Sequence, residues 1–213
     1  MPPFPSNTQN RNKKLIIQPL KIHIKYGKIK KIQKGGIGIS DSVSAKTALA
    51  KTMRQLLEVT SFSKISVSSL CDACGINRKS FYYHFKDKYD LVCWIFESEV
   101  GHMMITNSYA SDWDMLLDMC KYLDENRSFY AKVLRIDGQN SFREFFGKTI
   151  AECVRLYYNE RIKDPDDLEF LSHFFAGALL LTILEWMLDT APVPPEEFTE
   201  QLRRCVKNLH LSN

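Results

Sequence analysis

The chain is short of the features that most enzyme chemistry requires. It has no glycine-rich loop to cradle a phosphate, no nucleophile elbow and no carboxylate pair suited to acid–base work. Its five histidines, His23, His84, His102, His173 and His210, fall at no metal-ligand spacing. A non-enzyme without metal or cofactor is expected. The six cysteines lack the spacing of a disulfide framework and, as free thiols, fit a reducing cytoplasm. The N-terminus lacks the apolar stretch of a secretory signal. The nearest thing to a membrane span, residues 170–188, is interrupted by Ser172, His173, Thr182 and Glu185, so no membrane partner is expected. Strand-like alternation of useful length is also missing, which leaves an all-α fold.

Acidic residues are absent from the first forty positions, which hold nine Lys and Arg. Net charge is +9 over 1–40, +1 over 41–103 and −6 over 104–213. The acidic C-terminal part is a poor polyanion binder, so nucleic-acid contact is expected of the N-terminal half. Residues 1–40 combine Pro2, Pro3 and Pro5 with a Lys/Ile-rich run of no clear period. Three readings stand for them. They form a basic arm adding non-specific DNA affinity, or a disordered tail, or translated AT-rich DNA ahead of a true start near Ile39 to Val43.

What the chain does have is concentrated in residues 63–88, SKISVSSLCDACGINRKSFYYHFKDK. Ser66 is placed to N-cap a helix from Val67, whose apolar stripe is Val67, Leu70, Cys71 and Cys74. Gly75 follows, where a left-handed residue ends a helix. Ile76 plugs the turn, and Asn77 is placed to cap a second helix from Arg78 to about His84. Phe81 and Phe85, four apart, point inward together. Arg78, Lys79, Ser80, Tyr82, Tyr83 and His84 are left facing out. Asp87 caps a further helix to about Val100. Two short helices around a glycine turn, the second studded with polar and aromatic groups, make a helix-turn-helix whose second helix enters the major groove.

In order, Ser66, Leu70, Gly75, Ile76, Ser80, Phe81, Tyr82, His84, Phe85 and Lys88 resemble the motif of the TetR/AcrR transcriptional regulators. The resemblance is strong from Ala45 to about Met103 and weaker beyond. It implies an N-terminal three-helix DNA-binding domain over 41–103, followed by a helical regulatory and dimerisation domain over 104–213. It further implies a homodimer on a palindromic double-stranded operator. The DNA-binding set is Ser66, Asn77, Arg78, Lys79, Ser80, Tyr82, Tyr83, His84 and Lys88. Arg78 and Lys79 are the expected base readers, and Tyr82, His84 and Lys88 the expected phosphate anchors. Cys71 and Cys74 form a CxxC, so thiol-redox chemistry competes with plain burial on the inner stripe.

Ala45–Glu58 is an amphipathic helix with Ser44 as its expected cap. Helices are expected over 112–126, 127–136, 141–162 and 164–189, and a last one from Pro195. Residues 170–188 are apolar on nearly every face, which calls for burial all round and hence a second subunit. Met103, Met104, Trp113, Tyr122, Phe129, Phe146 and Tyr157 are candidates to line a pocket for a small apolar or aromatic effector; plain core is the competing use. Asp124–Tyr130 and Gly138–Phe142 resemble one branch of the family, the activators of dihydroxyacetone-kinase operons. That resemblance implies control by a kinase-like protein co-regulator instead.

Overall fold

The computed structural model of the protein describes residues 39–159 and 161–210, so the N-terminal basic segment, apart from Ile39 and Ser40, lies outside the described residues. Among them there are nine α-helices, one short 3-10 turn and no strand.

The N-terminal unit is α1 (Ile39–Val59), the turn at Phe62–Lys64, α2 (Val67–Cys74) and α3 (Arg78–His84). α1 begins before the expected Ala45, so Ser44 lies within the helix instead of capping it. α1 buries Leu49, Met53 and Leu57 against Leu70, Phe81, Phe85 and Leu91. Ser66 accepts from the Ser69 backbone N–H at 3.0 Å, and Ser69 Oγ accepts from the Ser66 N–H at 2.9 Å. This is a capping box with serine where Glu or Gln is usual. Gly75 ends α2 at φ 68°, and a Cβ there would meet no atom within 4 Å, so only backbone conformation demands the glycine. Asn77 Oδ1 then accepts from the Ser80 N–H at 2.8 Å and starts α3.

Helix α4 (Lys88–Thr106) leads out of this unit. It is longer than expected, and the boundary drawn between 103 and 104 falls in its last turn. Asp87 caps it by accepting from the backbone N–H groups of Tyr89 and Asp90.

The C-terminal unit comprises α5 (Asp112–Glu125), α6 (Arg127–Leu134), α7 (Phe142–Tyr158), α8 (Pro165–Leu188) and α9 (Pro195–His210). Three of these starts have a side-chain cap. Ser111 caps α5, Ser141 caps α7, and Asp164 caps α8 with Pro165 at its first position. α7 stops at Tyr158, short of the expected Ile162. α7 lies along α8 at close range: a Cβ on Gly147 would sit 3.1 Å from Leu180 Cδ2. α9 packs on α5, and its Phe198 stacks on Trp186 at 4.5 Å between ring centroids. The core is continuous from Leu49 to Phe198, across both units.

By length and composition α8 could cross a membrane. Here its inner side packs into the core through Ala176, Ile183, Trp186 and Met187. The burial on all sides expected of it is met on one side only within a single chain. Phe170, Phe174 and Leu181 stand 74%, 64% and 51% exposed.

Candidate nucleic-acid interface and effector cavity

The recognition helix α3 is fixed from below and free above. Phe81 is fully buried and Phe85 nearly so, with their rings 5.8 Å apart. Facing out, Arg78 and Lys79 are exposed and Ser80 is half-buried. Tyr82 is 52% and Tyr83 83% exposed. Tyr83 meets His84 edge-on at 5.0 Å. His84 is half-buried, and desolvation followed by the nearby Lys46 charge pushes its pKa below the ordinary value. The helix thus presents two cations, a hydroxyl and two phenols in a compact patch, a set that can meet both base edges and phosphates.

Ser66 and Asn77, also expected at the DNA, have their side-chain oxygens engaged as helix caps. They position the backbone of α2 and α3.

Lys88, expected as a phosphate anchor, has another task. Its Nζ donates to the carbonyls of Phe62 and Ile65, both at 2.7 Å, and to Ser63 at 3.4 Å. It also lies 4.5 Å from the centroid of the Phe62 ring. An ammonium has three donors, and three carbonyls take them. Burial lowers its pKa. Lys88 therefore clips the 3-10 turn to the start of α4.

Thiol chemistry finds little support at the CxxC. Cys71 is 2% exposed, and burial raises its pKa, so the reactive thiolate is disfavoured. Cys74 Sγ lies 3.7 Å from the Cys71 carbonyl oxygen. All the cysteines are free, and no cluster of three or more His, Cys, Asp or Glu suited to a metal occurs among the described residues.

The C-terminal unit encloses a cavity of about 120 Å³ between α4, α5, α7 and α8. Phe96 and Met104, Met119, Phe146 and Ile150, and Leu179 are among its walls. Its surface is almost wholly carbon. Of the residues expected to line a pocket, Phe146 and Met104 do. Met103 and Trp113 are half-buried elsewhere, and Phe129 is buried under the Arg54 guanidinium. Tyr122 is engaged by Arg54 and Glu99. The side chain of Tyr157 lies outside the described residues. Sequence periodicity finds apolar faces, but which face borders a void depends on how four helices meet. Cys153 also lines the cavity, and burial pushes its thiol up to about 11.

Described residues that are all helical, with a capped and exposed second motif helix and a C-terminal helical unit around an apolar cavity, have the architecture of a helix-turn-helix transcriptional regulator. Comparison with known proteins gives the family. The description "Bacterial regulatory proteins, tetR family" matches residues 50–93, and "Transcriptional regulator C-terminal region" of the same family matches residues 111–208. The chain belongs to the TetR family, whose members are DNA-binding regulators and not enzymes.

The chain is 32% identical over 111 residues to the HTH-type dhaKLM operon transcriptional activator DhaS of Lactococcus lactis subsp. lactis. That match spans 52% of this chain and 58% of the relative's length. An HTH-type transcriptional regulator of Staphylococcus aureus is 19% identical over 170 residues, 76% of this chain and 92% of that one. Among solved structures, the dihydroxyacetone kinase operon activator DhaS superposes with a TM-score of 0.57 at 24% identity, over 77% of this chain and 94% of that one. A TetR regulator from Streptococcus agalactiae superposes with a TM-score of 0.58 at 21% identity, over 85% of this chain and 98% of that one. These likenesses establish the fold.

Proposed function

We propose that the protein acts as a homodimer that binds a palindromic operator through α3 of each copy and is controlled by a small apolar ligand. The exposed stripe Phe170, Phe174 and Leu181 on α8 supports self-association, because exposed apolar side chains in one row are costly to leave in water. A dimer presents two recognition helices to major grooves about 34–36 Å apart, or a multiple of that. Arg78 and Lys79 read bases, and Tyr82, Tyr83 and His84 position the helix on the backbone. The observation that carries ligand control is the enclosed carbon-lined cavity: a void of about 120 Å³ matches one aromatic ring in size. Glu97 and Thr149 are among its lining residues, but its surface is almost wholly carbon, so it offers little to pair with the hydroxyls or phosphate of a sugar-like metabolite.

The similarity to DhaS over 111 residues favours a second reading, in which the chain is an activator answering to a kinase-like protein partner. The two readings share the DNA-binding step and differ in what occupies the C-terminal unit.

Selection from a random duplex library tests the shared step. The purified protein should enrich an inverted repeat. Arg78→Ala should relax one base position in each half-site, at about 1–3 kcal/mol for a lost bidentate contact. No enrichment, or unchanged base preference in the variant, would overturn the assignment. Adding benzene and, separately, a kinase-like protein to the operator complex then decides which of them changes binding.

A further inference from the structure

Lys46, on the N-terminal half of α1, reaches the C-terminal end of α3. Its Nζ lies 5.7 Å from the Phe85 ring centroid and 5.4 Å from that of Trp94. His84 lies beside the same phenyl, 6.3 Å between ring centroids, and meets Tyr83 edge-on. Lys46 and His84 are both half-buried, so each keeps part of its surface open to solvent. An ammonium and an imidazole are thus gathered about one buried ring, next to the exposed patch of α3.

No anion accompanies them. Neither residue forms an ion pair among the described residues. The acids on the neighbouring elements have other tasks. Asp87 accepts from the backbone N–H groups of Tyr89 and Asp90, and Asp90 from that of Lys86 at 2.9 Å. Asp72 of α2 accepts from Ser68 Oγ at 3.4 Å. The other charges close by in the chain, Arg78 and Lys79 on α3 and Lys86 in the loop after it, are cations. After burial, it is the Lys46 charge that holds the His84 imidazole toward its neutral form. Lys88, the cation that the motif offers next, is taken up by carbonyls.

We propose that Lys46 and His84 together grip one operator phosphate in each half-site, and that the phosphate draws a proton from solvent onto His84 as it binds. A backbone phosphate carries one negative charge. It has two free oxygens, one to accept from the Lys46 ammonium and one from a ring N–H of His84. Set between two cations, it turns their repulsion into attraction, which favours the charged imidazole. The complex then binds more protons than the free protein. Affinity therefore rises as pH falls, through a window that opens just under 6.5 and extends above it. Full uptake is worth about tenfold in affinity per pH unit for each copy. The proposal rests on the operator-binding reading and adds a residue of α1 and a proton to it.

Calorimetry of the wild-type protein with its selected operator, in two buffers of different ionisation enthalpy, counts the protons directly. Near pH 6.5 the wild type should take up a measurable fraction of one proton per copy. His84→Gln should take up none, and its affinity should no longer follow pH. Lys46→Gln should weaken binding to all duplexes and flatten the salt slope by about one unit per half-site. Thermal unfolding identifies a variant that merely fails to fold, and the wild-type proton count stands without it. A wild type that binds with no proton uptake would overturn the proposal, as would uptake that survives in His84→Gln. An unchanged salt slope in folded Lys46→Gln would remove Lys46 from the phosphate. A protein that binds no duplex at any pH would instead overturn the operator-binding reading itself.

Discussion

Lys88 shows how one side chain can belong to a motif and yet serve another purpose. Its three donors close on the carbonyls of Phe62, Ser63 and Ile65. Lys88→Met is expected to lower the stability of the DNA-binding unit by about 1–3 kcal/mol, the cost of buried carbonyls left unpaired. Chemical denaturation measures it. If the role were phosphate contact alone, stability would hold and only the salt dependence of DNA binding would change. His84 makes a pH prediction. Its pKa is depressed in the folded state below the ordinary 6.5, so below that value the unfolded chain binds more protons than the folded one. Stability should therefore rise with pH through the window just under 6.5 and level off above it. His84→Gln should flatten that part of the profile in thermal melts. Ser66, Gly75 and Asn77 were legible in the sequence because a cap or a left-handed turn depends on neighbours three residues away. Lys88 and Arg54 were not, because their partners lie 23 to 72 residues away in the chain.

At the scale of elements, the helices and their order were readable, since most have a periodic apolar face and most have a side-chain cap. Their ends were less so. The starts of α2, α3, α5, α7 and α8 follow from Ser66, Asn77, Ser111, Ser141 and Asp164. The start of α1 and the end of α4 carry no comparable signal, and both helices run longer than their sequence suggests. α8 has no polar face to orient it, and the structure resolves the ambiguity by burying Ile183, Trp186 and Met187 while leaving Phe170, Phe174 and Leu181 outside. In the proposed dimer, Phe174→Asp should separate the two copies without unfolding the chain, because Phe174 is exposed within one chain. Losing from each copy one phenyl that the proposed interface would bury weakens association by roughly 3–6 kcal/mol at the usual transfer value of about 1.5–3 kcal/mol each. Sedimentation at micromolar concentration reads this as a fall from about twice the 24.7 kDa chain mass to the chain mass itself. An unchanged sedimentation coefficient would remove α8 from the interface.

For the molecule as a whole, the continuous core ties the cavity to the DNA-binding unit, with Phe96 of α4 lining the one and packing among residues that lead to the other. The cavity itself was not legible, because a void is a property of how α4, α5, α7 and α8 fail to close on each other. Filling it should stabilise the fold. Benzene at a hundredfold over its dissociation constant adds about 2.7 kcal/mol, read as a higher melting temperature. Dihydroxyacetone, facing an almost wholly carbon surface, should leave the melting temperature where it was; the reverse pattern would rule the apolar reading out. The tryptophans have a consequence of another kind. Trp94 lies beside Phe85 and the Lys46 ammonium, next to the recognition helix, whereas Trp186 is sandwiched between Arg127 and Phe198 at the far end of α6. An indole under a guanidinium is sensitive to its distance from that charge, so the emission colour of Trp186 should follow any change in its contact with Arg127. With Trp94 and Trp113 replaced by Phe, the protein carries one indole whose emission belongs to that single contact, with no dye or label attached.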